Sequence, residues 1–468
     1  MRFTVIGHSC LYVETSAGTI LVDPWLIGSC YWRSWWHFPP SAPAREEWFS
    51  PDYIYLTHHH FDHFHYPSMR KMDRRVHVLI PRFGVDVMEG EVRGLGFGRV
   101  TELPHGEVVD LGSGVRVGSF QYGFDDTTFV IADGDHVLVD INDCKIRGKS
   151  LERVAASFGR PTFVFKSYSF AQSYPIAYEA ENPAELQLLT RDSYLEDFSG
   201  RVRDLQPCFG VPFGSMVAFL HPENRDLNQY LITPGDVAAA YDASRRPGDA
   251  TQIVPMAPGD SWDSERGFTL SSFDWYSDRE RHLAELAASI EPKLEAQNAA
   301  EAGRTLVWSE FHDYFTRFVR GLPPLTGRFV CKRPLVFEVP SCPEPYWVVD
   351  VRHRSVYRAT EPPSDRASIA RVPEAVLADA IRSQVVQVVH GAMRIRVELR
   401  AGGLSDDLAF WGLVAVWELG YLKARTWLRP RFWQVLWRRR DEIISALGAV
   451  RGRGSFFDRM ANRFAESD

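Results

Sequence analysis

A chain of 468 residues is longer than one ordinary domain of roughly 100–200 residues, so two or three are expected. Its formal net charge of −7 argues against nucleic-acid binding, and a composition 45% hydrophobic and 24% charged is that of a folded protein. Six scattered cysteines with no Cys-x-x-Cys pair exclude a disulfide scaffold and suit a reducing compartment.

In chain order, strand patterns come first, at residues 3–6, 10–13 and 19–22, with turns at Gly7 and at Ala17 and Gly18. A strand that starts at once leaves no secretory leader to read, so a cytoplasmic location is expected. An aromatic loop at 31–40 leads to a strand at 53–56. Further strands are expected at 76–80, 115–120, 128–132 and 137–141, with at least one helix between Met69 and Phe97. Residues 1–260 thus form one α/β unit. Ser277-Asp278-Arg279-Glu280 has the form of a capping box, and Leu283, Leu286, Ile290 and Leu294 follow at helical spacing with Pro292 as a kink point. This sets off a helical connecting segment, 261–329. Residues 330–468 alternate strands (346–351, 393–399) with helices (373–381, 407–419) and read as a smaller α/β lobe. The apolar run 408–422 carries Glu418 and falls short of the about 20 residues a membrane span needs.

The segment that carries chemistry is Thr57-His58-His59-His60-Phe61-Asp62-His63, directly after a strand. Alternate residues point the same way, so His58 and His60 can grip one cation while Asp62 and His63 turn toward a second. Imidazole and carboxylate suit Zn, Fe or Mn, and no thiol is placed to join them. A pair of cations calls for a bridging anion at another strand end: Asp143 is the candidate and Asp140 its competitor. His221, before Pro222, is the candidate terminal histidine. Asp23 is expected to orient a ligand loop by hydrogen bonds. His37, His65 and Tyr168 are candidate substrate contacts, Lys166 and Tyr174 possible pocket edges, and His59 a solvent-facing position.

Thr57–His63, with Leu21-Val22-Asp23-Pro24-Trp25 upstream, resembles the metallo-β-lactamase superfamily. Within it, residues 20–260 resemble the CMP-N-acetylneuraminic acid and UDP-N-acetylmuramic acid hydroxylases. The likeness is carried also by Trp35–Pro40, by 126–144 and by 214–228. It implies an αββα sandwich holding a dinuclear centre, and it singles out Asp126, where hydrolytic members keep a third histidine; Asp125 and His105 are the alternatives. The implied set is His58, His60 and Asp126 on one metal and Asp62, His63 and His221 on the other, bridged by Asp143, with Asp126 and Asp143 also as catalytic residues. Three carboxylates favour iron and O2 as co-substrate over zinc. A similar exchange of histidine for carboxylate marks the diiron β-hydroxylase of chloramphenicol biosynthesis.

The resemblance therefore implies a diiron oxygenase that hydroxylates or N-oxygenates a small polar substrate. A hydrolase with two zinc ions, or a non-catalytic ligand carrier, are the rival readings. The family's Rieske ligand pairs, Cys-x-His and Cys-x-x-His, do not occur in this sequence, so electrons are expected from an external donor such as a ferredoxin or reductase. The last lobe resembles a sterol-carrier-type domain. Residues 423–440 interleave basic side chains with Trp427, Trp433 and Trp437. They suit an acidic redox partner or carrier protein, a membrane surface, or simply tryptophan packed inward with arginine in solvent.

Overall fold

The computed structural model describes residues 1–442. Its first part is built on two facing sheets. An eight-stranded sheet runs, in spatial order, Gly267–Thr269, Ser261–Asp263, Arg2–Gly7, Cys10–Thr15, Gly18–Val22, Tyr53–Tyr55, His77–Pro81, Val100–Leu103. A seven-stranded sheet runs Gln252–Ile253, Phe209–Pro212, Phe163–Lys166, His136–Asn142, Asp126–Asp133, Val115–Tyr122, Val108–Gly112.

Side-chain alternation explains the layering. In His136–Asn142, Leu138 packs between the sheets with Phe3, Tyr55 and Phe129, whereas Val137, Val139 and Ile141 join the core beneath the outer helices. Those helices include Gly148–Phe158 and Arg191–Leu205. On the opposite face, Ile54 and Leu21 pack with Met69, Met88 and Val92, on or beside the helices Tyr66–Met69 and Val87–Gly94. Helices thus cover both outer faces, giving the expected αββα sandwich.

The pairing that positions the site is parallel: Gly18–Val22 with Tyr53–Tyr55, and His136–Asn142 with Phe163–Lys166. The carboxyl ends of such strands lie side by side, and the loops leaving them meet in a crevice, the usual place for a ligand in an α/β sheet.

The domain divisions at 260 and 330 both move. Ser261–Asp263 and Gly267–Thr269 extend the first sheet, so the sandwich runs past 260. Conversely, Tyr178–Ala180 leaves the sandwich and pairs with Arg396–Leu399 at the edge of a third, six-stranded sheet. The core of this second lobe joins Phe311, Phe315 and Phe318 of the helix Trp308–Gly321 to Phe337, Trp347 and Phe410. Local periodicity shows that a strand exists; it carries no information about which sheet edge accepts it.

The helix Arg279–Glu301 continues through Pro292 and buries Ala287, Ile290 and Leu294 against Trp36, Phe38, Ala218 and Leu220. Its first residue follows Asp278, which makes no side-chain cap bond, and Ser277 instead donates its hydroxyl to the Asp274 carbonyl. The expected capping box is not formed. Along 423–440 the inward-tryptophan expectation is inverted. Arg429, Arg431 and Arg438 pair with Asp86, Glu102 and Glu107 of the sandwich, while Trp433 and Trp437 stay 57% and 69% exposed. Residues 443–468 of the expected third unit lie outside the described residues. No described helix is long and apolar enough to cross a membrane.

Candidate metal centre

Asp23 directly follows the strand Gly18–Val22 and ties down the loops around it. Its carboxylate accepts the Thr57 amide at 2.8 Å and the Thr57 hydroxyl at 2.6 Å, and lies 2.6 Å from His63 Nδ1. Asn142 Nδ2 reaches the same oxygen at 3.2 Å. One buried acid thus links three loops and turns His63 Nε2 toward the crevice. His8, Asp23 and Asn142 all hold positive φ, at 30°, 45° and 50°. For non-glycine residues such backbone costs roughly 1–2 kcal/mol each, and it clusters where geometry serves function.

Around this frame the predicted ligands converge. His58 Nε2 lies 2.8 Å from His60 Nδ1, and the His58 and His63 rings are centred 4.0 Å apart. Asp143 Oδ2 is 3.4 Å from His63 Nε2, and Asp126 Oδ1 is 4.0 Å from His58 Nε2. Asp62 Oδ2 lies 3.3 Å from His63 Nε2, and its other oxygen accepts the Tyr31 hydroxyl at 2.5 Å. Two triads have donor atoms mutually within 4.8 Å: His58, His63 and Asp143, and His8, Asp62 and His63.

The charges are strongly coupled. Burial alone would lower the His63 imidazole, but the Asp62 and Asp23 charges hold it well above the usual histidine value. Burial would raise Asp62, yet the His63 charge and hydrogen bonds from His63 and His8 hold it well below the usual carboxylate range. Asp126 moves the other way: burial, then the charges of Asp125 and Asp143, push it well up. His58 is held down by burial and by the neighbouring His63 and His60. Carboxylates and imidazoles packed this closely move one another in opposite directions, as titratable groups gathered at functional sites do.

The donors around one atom test whether they fit a metal. His63 Nε2 is buried, 3.3 Å from Asp62 Oδ2 and 3.4 Å from Asp143 Oδ2, and the donors of His8 and His58 complete its two triads. A cation among them would be met by imidazole nitrogen and carboxylate oxygen together. The residues fit a metal centre of mixed nitrogen and oxygen ligation.

Several expected residues lie elsewhere. His221 does not join the cluster: its Nε2 lies 3.1 Å from Asn298 Oδ1, and burial with the Arg394 charge keeps it below the usual histidine value. It borders an ion-pair node in which the buried Arg394 reaches Glu223 and Glu301 at 2.8 and 2.7 Å. The strand ends two residues early, at Phe219, and the chain turns away. His105 accepts the Gln121 amide on Nδ1 and is lowered to about 3 by burial and the charges of Arg439 and Arg153. Asp140 is fully buried and raised by burial and by Asp23, so it is not the strand-end acid.

His37 is packed on Trp25, its ring 4.0 Å away, and bonds the Trp25 carbonyl. His65 lies 2.7 Å from the Ser68 hydroxyl at the start of the helix Tyr66–Met69, and it lines a neighbouring cavity of about 540 Å³. Tyr168 is fully buried among apolar side chains. Lys166 pairs with Asp197 at 2.9 Å, and Tyr174 donates to the Glu185 carbonyl. None of His37, His65, Tyr168, Lys166 or Tyr174 lines the cluster cavity. His59 is half-buried against Glu91 and not solvent-facing.

Two features escaped the sequence. His8 brings Nε2 to 2.9 Å from Asp62 Oδ2, in the position the terminal histidine was to take. Its only signal was a polar residue after Gly7 at the end of the first strand. The second is the wall opposite the cluster. A cavity of about 250 Å³, floored by His60, Asp62, Asp126 and Asp143 beside Lys145, is roofed by Gln387, His390 and Trp411 of the second lobe. The site lies between the lobes.

Residues 2–157 match the beta-lactamase superfamily domain, so the sandwich is a metallo-β-lactamase-fold domain. Beyond that class, the chain is 28% identical over 341 residues to a putative Rieske 2Fe-2S iron-sulfur protein of Mycobacterium tuberculosis, covering 66% of this chain and 64% of that one. It is 24% identical over 308 residues to the mouse cytidine monophosphate-N-acetylneuraminic acid hydroxylase, covering 56% and 52%. Among solved structures it overlaps CmlA, a diiron β-hydroxylase from Streptomyces venezuelae, with a TM-score of 0.38 and 20% identity over 54% and 52% of the two chains. The chain spans less than two thirds of the length of these curated relatives.

Proposed function

We propose that the protein is a non-heme diiron oxygenase that hydroxylates or N-oxygenates a small polar substrate. The observation that carries this reading is Asp126. Its carboxylate sits 4.0 Å from His58 Nε2, at the position where the resemblance leads one to expect a histidine in a hydrolase. With Asp62 and Asp143 the cluster then offers three carboxylates, a set of hard oxygen donors that suits iron.

His58, His60 and Asp126 would hold one metal, and Asp62, His63 and His8 the other, with Asp143 between them. Two irons bound there supply the O2 and electron chemistry of the net reaction, in which substrate R–H, O2, two electrons and two protons give R–OH and water. The chain's own residues do the rest. Asp23 orients His63 and the 57–63 loop, and Tyr31 holds Asp62 by a short hydrogen bond. Lys145, raised by the Asp197 and Tyr194 beside it against the effect of burial, keeps a positive charge at the cavity wall. Gln387 and Trp411 line the same cavity, of about 250 Å³. The Rieske name of the mycobacterial relatives supports an external iron–sulfur electron donor.

Metal analysis tests the reading. Two irons per chain, with an absorption change when the anaerobically reduced protein meets O2, are expected. Stoichiometric zinc with hydrolysis of generic esters would end it in favour of the hydrolase. Asp126→Ala is expected to lower metal content, and an unchanged content removes Asp126 from the ligand set.

A further inference from the structure

The second lobe does more than close the cavity. His390, on the short helix Val388–Gly391, lines the cavity opposite Asp62, Asp126 and Asp143. It is held from three sides. Ser173 donates its amide at 3.2 Å, and its hydroxyl, to the His390 carbonyl. Trp411 packs on the imidazole with ring centres 5.5 Å apart. The Tyr178 hydroxyl lies 2.8 Å from Nε2.

That last contact selects a tautomer. Tyr178 has a single O–H, and it is donated to Asp407 Oδ2 at 2.7 Å, while Ser368 donates to Asp407 Oδ1 at 2.5 Å. With Asp407 ionised the tyrosine oxygen can only accept from His390, so Nε2 carries the proton and Nδ1 keeps its lone pair, on a ring that lines the cavity. The chain Ser368–Asp407–Tyr178–His390 has the logic of a base oriented by a buried acid, with a tyrosine interposed. The segment leading into the short helix is itself pinned, since Glu418 accepts the amides of Val386 and Gln387 at 2.8 and 3.0 Å.

We propose that His390 is the proton acceptor of the metal cavity, taking a proton from bound substrate or attacking water onto Nδ1 while Tyr178 and Asp407 position the ring. The X–H or O–H bond gives up its proton and the electron pair stays on X or O. Burial lowers His390 to about 4, so the ring is neutral at neutral pH and holds the proton only in passing. The groups facing it are Tyr178 and, behind it, Asp407 on its own lobe, and Lys145, His60, Asp62, Asp126 and Asp143 across the cavity. This role needs a substrate at the metal centre but not the oxygenase reading: a hydrolase built on the same donors would use the same base.

Histidine nitrogen NMR on the full-length protein tests the arrangement first. The expected result is an Nε2–H tautomer at His390 whose ring signals shift or broaden when cobalt(II) is loaded, with Tyr178→Phe mixing the tautomers. An Nδ1–H tautomer, or signals untouched by cobalt, overturns the proposal. Turnover tests the role. His390→Gln is expected to keep its metal stoichiometry and melting temperature. It should lose about 10²-fold or more of 4-nitrophenyl acetate hydrolysis by the zinc-loaded protein, in which the proton comes from the attacking water. A wild-type rate in the variant overturns the proposal. Iron-loaded wild type that takes up no O2 sinks the oxygenase reading and leaves His390 to be judged on the ester arm and the tautomer.

Discussion

The two walls of the cavity are built in opposite ways. The floor takes His60 and Asp62 from one run, Thr57–His63, which also carries His58 and His63 of the donor triads. In the roof, Tyr178 lies 212 positions from His390 and 229 from Asp407, and it meets them only because Tyr178–Ala180 crosses to the edge of the second lobe's sheet. A motif of the first kind announces chemistry by spacing. One of the second kind has no spacing to read, and its function rests on the packing of two lobes.

The sharpest break between the walls is expected from His63→Ala. It removes the imidazole shared by both donor triads, so metal content measured by atomic emission should collapse while the second lobe keeps its near-ultraviolet circular dichroism. Next comes the joint between them. Arg394 is 1% exposed and ties Glu223 of the sandwich to Glu301 of the long helix, so Arg394→Ala leaves the largely buried Glu301 without its partner, while Glu223, 41% exposed, turns to solvent. The cost is about 1–3 kcal/mol, read from the denaturation midpoint, and a change below about 0.5 kcal/mol would show the lobes docked by apolar contacts alone.

Asp23→Ala is expected to weaken metal binding about 10–100-fold by freeing His63 and the 57–63 loop, without removing a ligand. The pair His8→Ala and His221→Ala decides which histidine completes the second triad: metal loss in the first and none in the second is expected, and the reverse would return His221 to the site.

The roof adds an effect of pH. Burial raises the Asp407 carboxyl from its usual value to about 6, so below that value the fold keeps a proton that the unfolded chain would release, while at neutral pH the group is ionised. The stability it adds is full below the ordinary carboxylate value and is lost as pH rises through about 6. Thermal melts of the metal-free protein should therefore show a slope over that interval, of about 3 kcal/mol in total, that Asp407→Asn flattens.

Much of the floor was legible because strand alternation and a strand-end loop leave few ways to arrange His58, His60, Asp62 and His63. Asp143 was legible by the same rule, one residue past the strand His136–Asn142. His221 failed as an expectation because the same rule places a residue at a strand end without saying which way the next turn goes. The capping box at 277–280 failed because a preceding Asp274 turn captured the Ser277 hydroxyl first.

The amino-acid sequence alone therefore determined what depends on neighbours in the chain: many strands of the sandwich, the helix Arg279–Glu301, and a run of histidine and aspartate donors on one loop. Tertiary structure decided what depends on pairs far apart. It set the edge that Tyr178–Ala180 joins, placed His8 on Asp62, and closed His390 over the acids. Hydrogen-bond registers and burial are properties of surfaces that exist only once the chain has folded, so no local pattern encodes them.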